Sequence, residues 1–487
     1  MRPWIGAAAV ALAASGCGSD GGSTGPSRVL AIVGGDNQSA KVNQQLPLPL
    51  SVSVMEGGAP VTGAIVNWSV FAGSGTVTPT STTGSDGIAS VSYTVGDVPR
   101  TERVQAAVAG ANGLQVFTAT ALPIGSFTVL GGGNNVSDRF SSDLAFHGSY
   151  GYTGTWGLRG LNHGDAIKLW HLDAGGAPNL VRSVPVEDIE TVSDVAVSPD
   201  GSLLVITAEG GEGSRPGLLV YSLADPADPV LVGRHEVAVP GLHTGTVASV
   251  NGRTYAFTAR SPGAVDPALQ IYDLSTPQSP AVVAVVPVPP VYGIHDTFVR
   301  DGLVFAFVWN TGVQIYDVGN GMAGGSITNP VLVGAVTTAG TGVPSGGPSA
   351  HNGWWFHNPN TGEKRYLFVG QEGPVEFGVS SSGNIHVVDV SDLAHPQEVA
   401  FFHLEGAGSH NFWMDEANEI LYAAFYNGGV VALDVSGTLQ GDLAARQVAR
   451  LEPAGADTFV WGVQLHQGTL YAIDMLSGLW QLGPSGF

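Results

Sequence analysis

Four histidines recur in similar settings along the second half of the chain: His243 in LHTG, His295 in IHDT, His351 in AHNG and His410 in SHNF. Imidazole is a neutral nitrogen ligand around neutral pH, and several imidazoles gathered at one point with carboxylates behind them suit a transition metal such as zinc or copper. Acids stand in the neighbouring segments (Asp165, Glu209, Glu212, Asp266, Glu372 and Glu376), and Asp296 directly follows His295. The same histidines have a structural reading, in which each bonds nearby backbone and is copied from repeat to repeat without function. The run Trp354-Trp355-Phe356-His357 likewise reads either as side chains buried between packed sheets or as a platform for a sugar or aromatic ligand. The sequence contains no nucleophile motif, phosphate loop, zinc-hydrolase motif or dinucleotide fingerprint, and with 70 glycines scattered glycine patterns carry no weight.

What must position these residues is a repeat. One apolar strand and its following turn recur as IKLWHLDAG, LLVYSLADP, LQIYDLSTP, VQIYDVGNG, IHVVDVSDL, VVALDVSGT and LWQLGPSG. Their shared column is Asp173, Ser222, Asp273, Asp317, Asp389, Asp434 and Gly483, spaced by 45 to 51 residues apart from one shorter step of 44 and one long step of 72. A pair of strands joined by a tight turn precedes each copy, and a further strand follows, as in DPVLVGRHEV and NPVLVGAVTT. Four strands per repeat predict the blades of a β-propeller. The last copy stops after three strands, and a spare strand at 126–130 precedes the first, so a ring of seven blades closed by that N-terminal strand is expected over residues 124–487. The aspartate column is expected to accept backbone N–H groups in the turn after it.

These copies resemble the LVIVD repeat, most clearly at Leu269–Pro280 and Ile385–Pro396, and differ from WD40 repeats in lacking the Trp-Asp pair. Because strand direction alternates within a blade, the longer connections 158–166, 209–217, 260–268, 337–350 and 371–383 gather on one face. The four histidines fall at the start of the innermost strands on that same face, directed at the mouth of the central channel, with Asp296 beside them. Loops on a rigid scaffold are where binding usually resides.

Residues 28–122 alternate apolar and polar positions in short runs such as AIVNWSV and IASVSYTV, separated by turn signals at Glu56-Gly57-Gly58, Gly73-Ser74-Gly75 and Ser85-Asp86-Gly87. This pattern predicts a β-sandwich. With Pro60, Gly63, Val66, Trp68, Gly87 and Ala89 at its characteristic positions, the segment resembles the group 1 bacterial immunoglobulin-like domain of invasin- and intimin-type adhesins. That resemblance implies a spacer or adhesive module, with Trp68 in its core.

Residues 1–16 carry Arg2 and a short apolar run, WIGAAAVALAA, too brief for a transmembrane helix. The ending L-A-A-S-G-C resembles a bacterial lipobox, with Ala14 where the family more often has leucine. The resemblance implies cleavage after Gly16 and lipidation of Cys17, followed by a flexible tether over 17–27. Cys17 is the only cysteine, which excludes an intrachain disulfide and any cysteine-based zinc site. The net charge of −22, from 18 basic against 40 acidic residues, excludes a nucleic-acid partner.

The expectation is an all-β protein, exported as an outer-membrane or cell-surface lipoprotein and monomeric, with an immunoglobulin-like sandwich ahead of the propeller. Two functions are open, the first being the leading reading and the second its alternative. One is a non-enzymatic binding or adhesion platform for an extracellular protein or polysaccharide. The other is a metal-dependent periplasmic or surface enzyme using the histidines, and convergent imidazole nitrogens would favour it.

Overall fold

The computed structural model describes residues 28–133, 139–157, 163–173, 177–260, 264, 266–289, 293–373 and 376–487. Residues 1–27, over which the cleaved segment, the lipidated Cys17 and the tether are expected, lie outside the described residues, as do parts of the connections 158–166, 260–268 and 371–383. The described chain is all-β apart from the single turns Ala444–Arg446 and Gly455–Asp457. Among the described residues no helix is long and apolar enough to cross a membrane.

The N-terminal unit consists of two sheets packed face to face. One is built on Leu50–Glu56, flanked by Arg28–Gly34 and Ile88–Val91; the other runs Gln38–Lys41, Gln115–Leu122, Arg100–Val108, Ile65–Ala72, Thr80–Thr82. Alternation decides what is buried: Leu50, Val52 and Val54 from the first sheet meet Val66, Trp68, Val104, Ala106 and Phe117 from the second in one core. Glu102 is fully buried in this unit, where its carboxyl group accepts hydrogen bonds from the Tyr93 hydroxyl and the Gly96 and Ser74 N–H groups, a structural role.

From Phe140 on, four-stranded antiparallel sheets follow one another at 140–185, 191–236, 242–287, 294–336, 350–402 and 412–451. The sheet at 350–402 gains a short fifth strand, Gly441–Asp442, lying parallel to Gln397–Phe402. The second and third strands are apolar on both faces, as in Leu303–Val308, buried throughout, because each sheet is sandwiched between two others. Every apolar core accordingly spans two consecutive sheets. One joins Ala145 and Leu169 to Val195 and Leu219, and another joins Leu303 and Ile315 to Leu367 and Val388. The circuit shuts where Leu144, Phe146 and Trp170 pack on Tyr471, Ile473 and Leu479.

The final sheet has three C-terminal strands, Val460–His466, Thr469–Asp474 and Gly478–Ser485, and takes its fourth, Ser126–Gly132, from the start of this region. The pairing is antiparallel, from Ser126 opposite Ser485 to Gly132 opposite Trp480. Gly132 has φ +126°, and a Cβ there would lie 2.4 Å from the Leu479 carbonyl oxygen, so the clasp requires glycine. In the aspartate column, Asp273, Asp389 and Asp434 each accept the N–H two residues on, at 2.7, 2.9 and 3.0 Å. Asp317 goes further and accepts five N–H groups from the 319–325 loop.

Candidate functional site

The register of the innermost strand breaks near its start in sheet after sheet, between Leu242 and Gly245, Ile294 and Asp296, Ala350 and Gly353, and Val460 and Gly462. A bulge of this kind re-aims side chains that strict alternation would send to opposite faces. The residue at each bulge and its successor, together with His410 and Asn411 just before the unbroken strand Phe412–Asp415, form two successive layers around the channel. The first holds His243, His295, His351, His410 and, from the last sheet, Trp461. The second holds Asp143, Asp194, Asp296, Asn352 and Asn411, all facing a cavity of about 620 Å³.

The structure brings all four histidines together. Ring centroids lie 4.4 Å apart for His243 and His295, 4.1 Å for His295 and His351, and 4.1 Å for His351 and His410. Trp461 continues the series 4.1 Å from His410, and Trp156 joins Trp461 at 5.3 Å and His243 at 5.9 Å, so six rings form a closed circuit. All four imidazoles are buried, His351 being 2% exposed.

Their nitrogens are prepared unequally. His243 Nδ1 is 3.1 Å from Glu209 Oε1, and its Nε2 is 2.9 Å from His295 Nε2. His410 Nδ1 donates to the Trp461 carbonyl oxygen, which leaves its Nε2 lone pair free. His295 Nδ1 and both nitrogens of His351 are buried without a hydrogen bond of normal geometry, although the His351 backbone lies close to the His295 ring and the Asn352 side chain close to the His351 ring. Glu372 enters from the end of Tyr366–Gln371, with Oε2 3.6 Å from His351 Nε2 and 3.9 Å from His295 Nε2. The ligand atoms of His295, His351 and Glu372 lie within 4.8 Å of one another. Glu209 on His243 and a backbone carbonyl on His410 are contacts of the kind that orient imidazoles where they do bind a metal.

Electrostatics keep most of this ring uncharged. Burial, reinforced by the neighbouring imidazoles, holds His295 and His410 well below the usual histidine range. Burial takes His351 down to about 3, with the Asn352 side chain only partly offsetting it. For His243 burial also opposes the charge, but Glu209, aided by Glu372 and Asp296, outweighs it and the net shift is upward. Burial pushes Glu372 up to about 7 against the hydrogen bond from the Tyr426 hydroxyl. Below the ring, burial raises Asp143 and Asp194, and mutual repulsion raises Asp194 further.

The other residues singled out in the sequence lie elsewhere. Asp296 is in the second layer with Asp143 and Asp194, where it accepts the Thr297 N–H. Asp165 pairs with Arg139 at 2.8 Å and Asp266 with Arg260 at 3.3 Å, while Glu212 and Glu376 are exposed. Trp355 is buried against Phe305, whereas Trp354, between Phe298 and Trp413, is half-buried and lines the 620 Å³ cavity below the histidines. Sequence reasoning missed Asp143, Asp194, Trp461 and Tyr426. The first three sit in the histidine motif's own column or the one beside it, and aligning all the inner strands would have found them. A larger cleft of about 790 Å³ lies between the two units, and within its lining Asn360 bonds Glu419 and Arg365 bonds Asp389.

Successive sheets with shared cores around an axial channel define a β-propeller. No family model matches the chain, and no curated protein does. Among solved structures, the β-propeller domain of Cps50 (Swd1) from Myceliophteria thermophila is similar, with a TM-score of 0.50 at 13% identity, covering 73% of this chain and 98% of that one. At that identity the likeness speaks to the fold alone.

Proposed function

We propose that this protein is an exported lipoprotein, anchored through Cys17, in which a group 1 immunoglobulin-like module carries a seven-bladed LVIVD-type propeller. We further propose that the propeller is a metalloprotein, holding zinc or copper among His243, His295, His351, His410 and Glu372. The observation that carries the metal reading is the burial of uncharged imidazoles against one another with ring nitrogens left unbonded. A polar atom buried without a partner is unfavourable, and a metal ion is the partner that several inward-facing imidazoles share. Glu209 and the Trp461 carbonyl oxygen support the same reading by orienting two of the rings. The adhesion platform rests on architecture alone.

The test is metal loading of the purified protein after chelation. One equivalent of zinc or copper is expected to bind, and binding is expected to be lost in the His295→Ala/His410→Ala pair. Absence of stoichiometric binding, or binding unchanged in that pair, refutes the metal centre. Membrane fractionation of Cys17→Ala tests the anchor, which predicts release into the soluble fraction.

A further inference from the structure

Tyr426 has a backbone conformation that its residue type disfavours. Its φ is +43°, and it is the only aromatic residue among the described non-glycine residues with positive φ, the rest being Asn, Asp, Ser, Glu and Gln. For a bulky side chain this region is strained, and such strain persists where the surroundings over-determine it. Here they do. The Tyr426 N–H donates to the Val460 carbonyl oxygen at 3.0 Å, and the Val460 N–H returns to Tyr426 at 2.9 Å, pinning it to the next sheet. Its ring packs on Phe459 at 4.7 Å and His410 at 4.9 Å. The result is a fully enclosed hydroxyl aimed at Glu372 Oε1, donated across the boundary between two sheets.

Glu372 has two oxygens and they face different ways. Oε1 receives the tyrosine, whereas Oε2 faces His351 and His295. A carboxylate with one oxygen tied by a strong donor is free to bind a metal through the other alone. We propose that Tyr426 is a positioning residue that fixes Glu372 as a one-oxygen ligand, keeping a coordination position open for an exogenous molecule. This inference rests on the metal reading above. It adds a residue that contacts no metal and a geometry that the histidines alone do not specify.

Tyr426→Phe keeps the ring and its packing and removes only the hydroxyl. Copper(II) bound to the full-length protein is expected to show a changed electron paramagnetic resonance spectrum in this variant. Copper affinity, by competition with a chelator, is expected to fall about 10- to 100-fold, as for other outer contacts to metal ligands. In a Glu372→Gln background the same substitution is expected to change neither. Glu372→Asp, which withdraws the carboxylate by one methylene while keeping its charge, provides a second route to the altered spectrum should Tyr426→Phe unfold. An unchanged spectrum and affinity in Tyr426→Phe, or an equal loss in the Glu372→Gln background, overturns the positioning role. Failure of the unsubstituted protein to bind copper or zinc overturns the metal reading itself, so the two failures are distinct.

Discussion

His351 is packed between His295 and His410, with tilted rings whose centroids are 4.1 Å away on either side, and neither of its nitrogens makes a hydrogen bond of normal geometry. Leucine has a similar volume and no polar atom, so His351→Leu removes two unsatisfied groups without opening a cavity. Each such group is unfavourable by about 1–3 kcal/mol. Against that stand two ring contacts worth about 0.5–1.5 kcal/mol each. The balance predicts that the metal-free variant is more stable than its parent by about 1–2 kcal/mol, a rise of a few degrees in melting temperature. With zinc the order reverses, because a ligand at 100 times its dissociation constant stabilises the folded state by about 2.7 kcal/mol, and only the parent retains the full ligand set. Differential scanning calorimetry of chelated and zinc-supplemented samples measures both effects. A metal-free variant clearly less stable than its parent, or a zinc-induced shift equal in the two proteins, would refute the reasoning.

Other perturbations separate site from scaffold. Glu209→Gln removes the carboxylate that orients His243 and is expected to weaken zinc binding about 10- to 100-fold with little change in the metal-free melting temperature, read by chelator competition. Asp317→Ala unties the 319–325 loop from five N–H bonds and is expected to lower stability by about 2–4 kcal/mol in thermal melts. Against burial, those N–H groups hold the Asp317 carboxyl at about 2. Since the folded value lies below the unfolded one of about 3.9, this contribution is complete above about pH 4 and is lost as pH falls towards 2; the difference between parent and Asp317→Ala should narrow accordingly. A chain beginning at Arg139 lacks Ser126–Gly132, exposes the edge of Gly478–Ser485, and is expected to melt lower and self-associate in size-exclusion chromatography.

The sequence carried the scaffold well, because a repeating strand has to keep its apolar side chains wherever it is sandwiched, and its aspartates wherever the next turn needs an acceptor. The four histidines were visible for the same reason: they occupy one column of that repeat. What the period does not encode is the bulge that turns two successive side chains the same way. Asp143 and Asp194 therefore went unnoticed behind Ser142 and Ser193, where no histidine marks the column. Glu209 and Glu372 were two acids among several, since the course of a connecting loop is not set by the repeat. Tyr426 had no signal at all, because a left-handed tyrosine in AFYNGG looks like one more apolar residue before a glycine turn.

Two of the ten tryptophans, Trp461 and Trp156, belong to the same circuit of touching rings as the histidines. Their indole fluorescence is thus coupled to whatever the imidazoles hold: a paramagnetic cupric ion would darken those two emitters and leave distant ones bright, while closed-shell zinc would not. Occupancy can be followed in unlabelled protein by light alone.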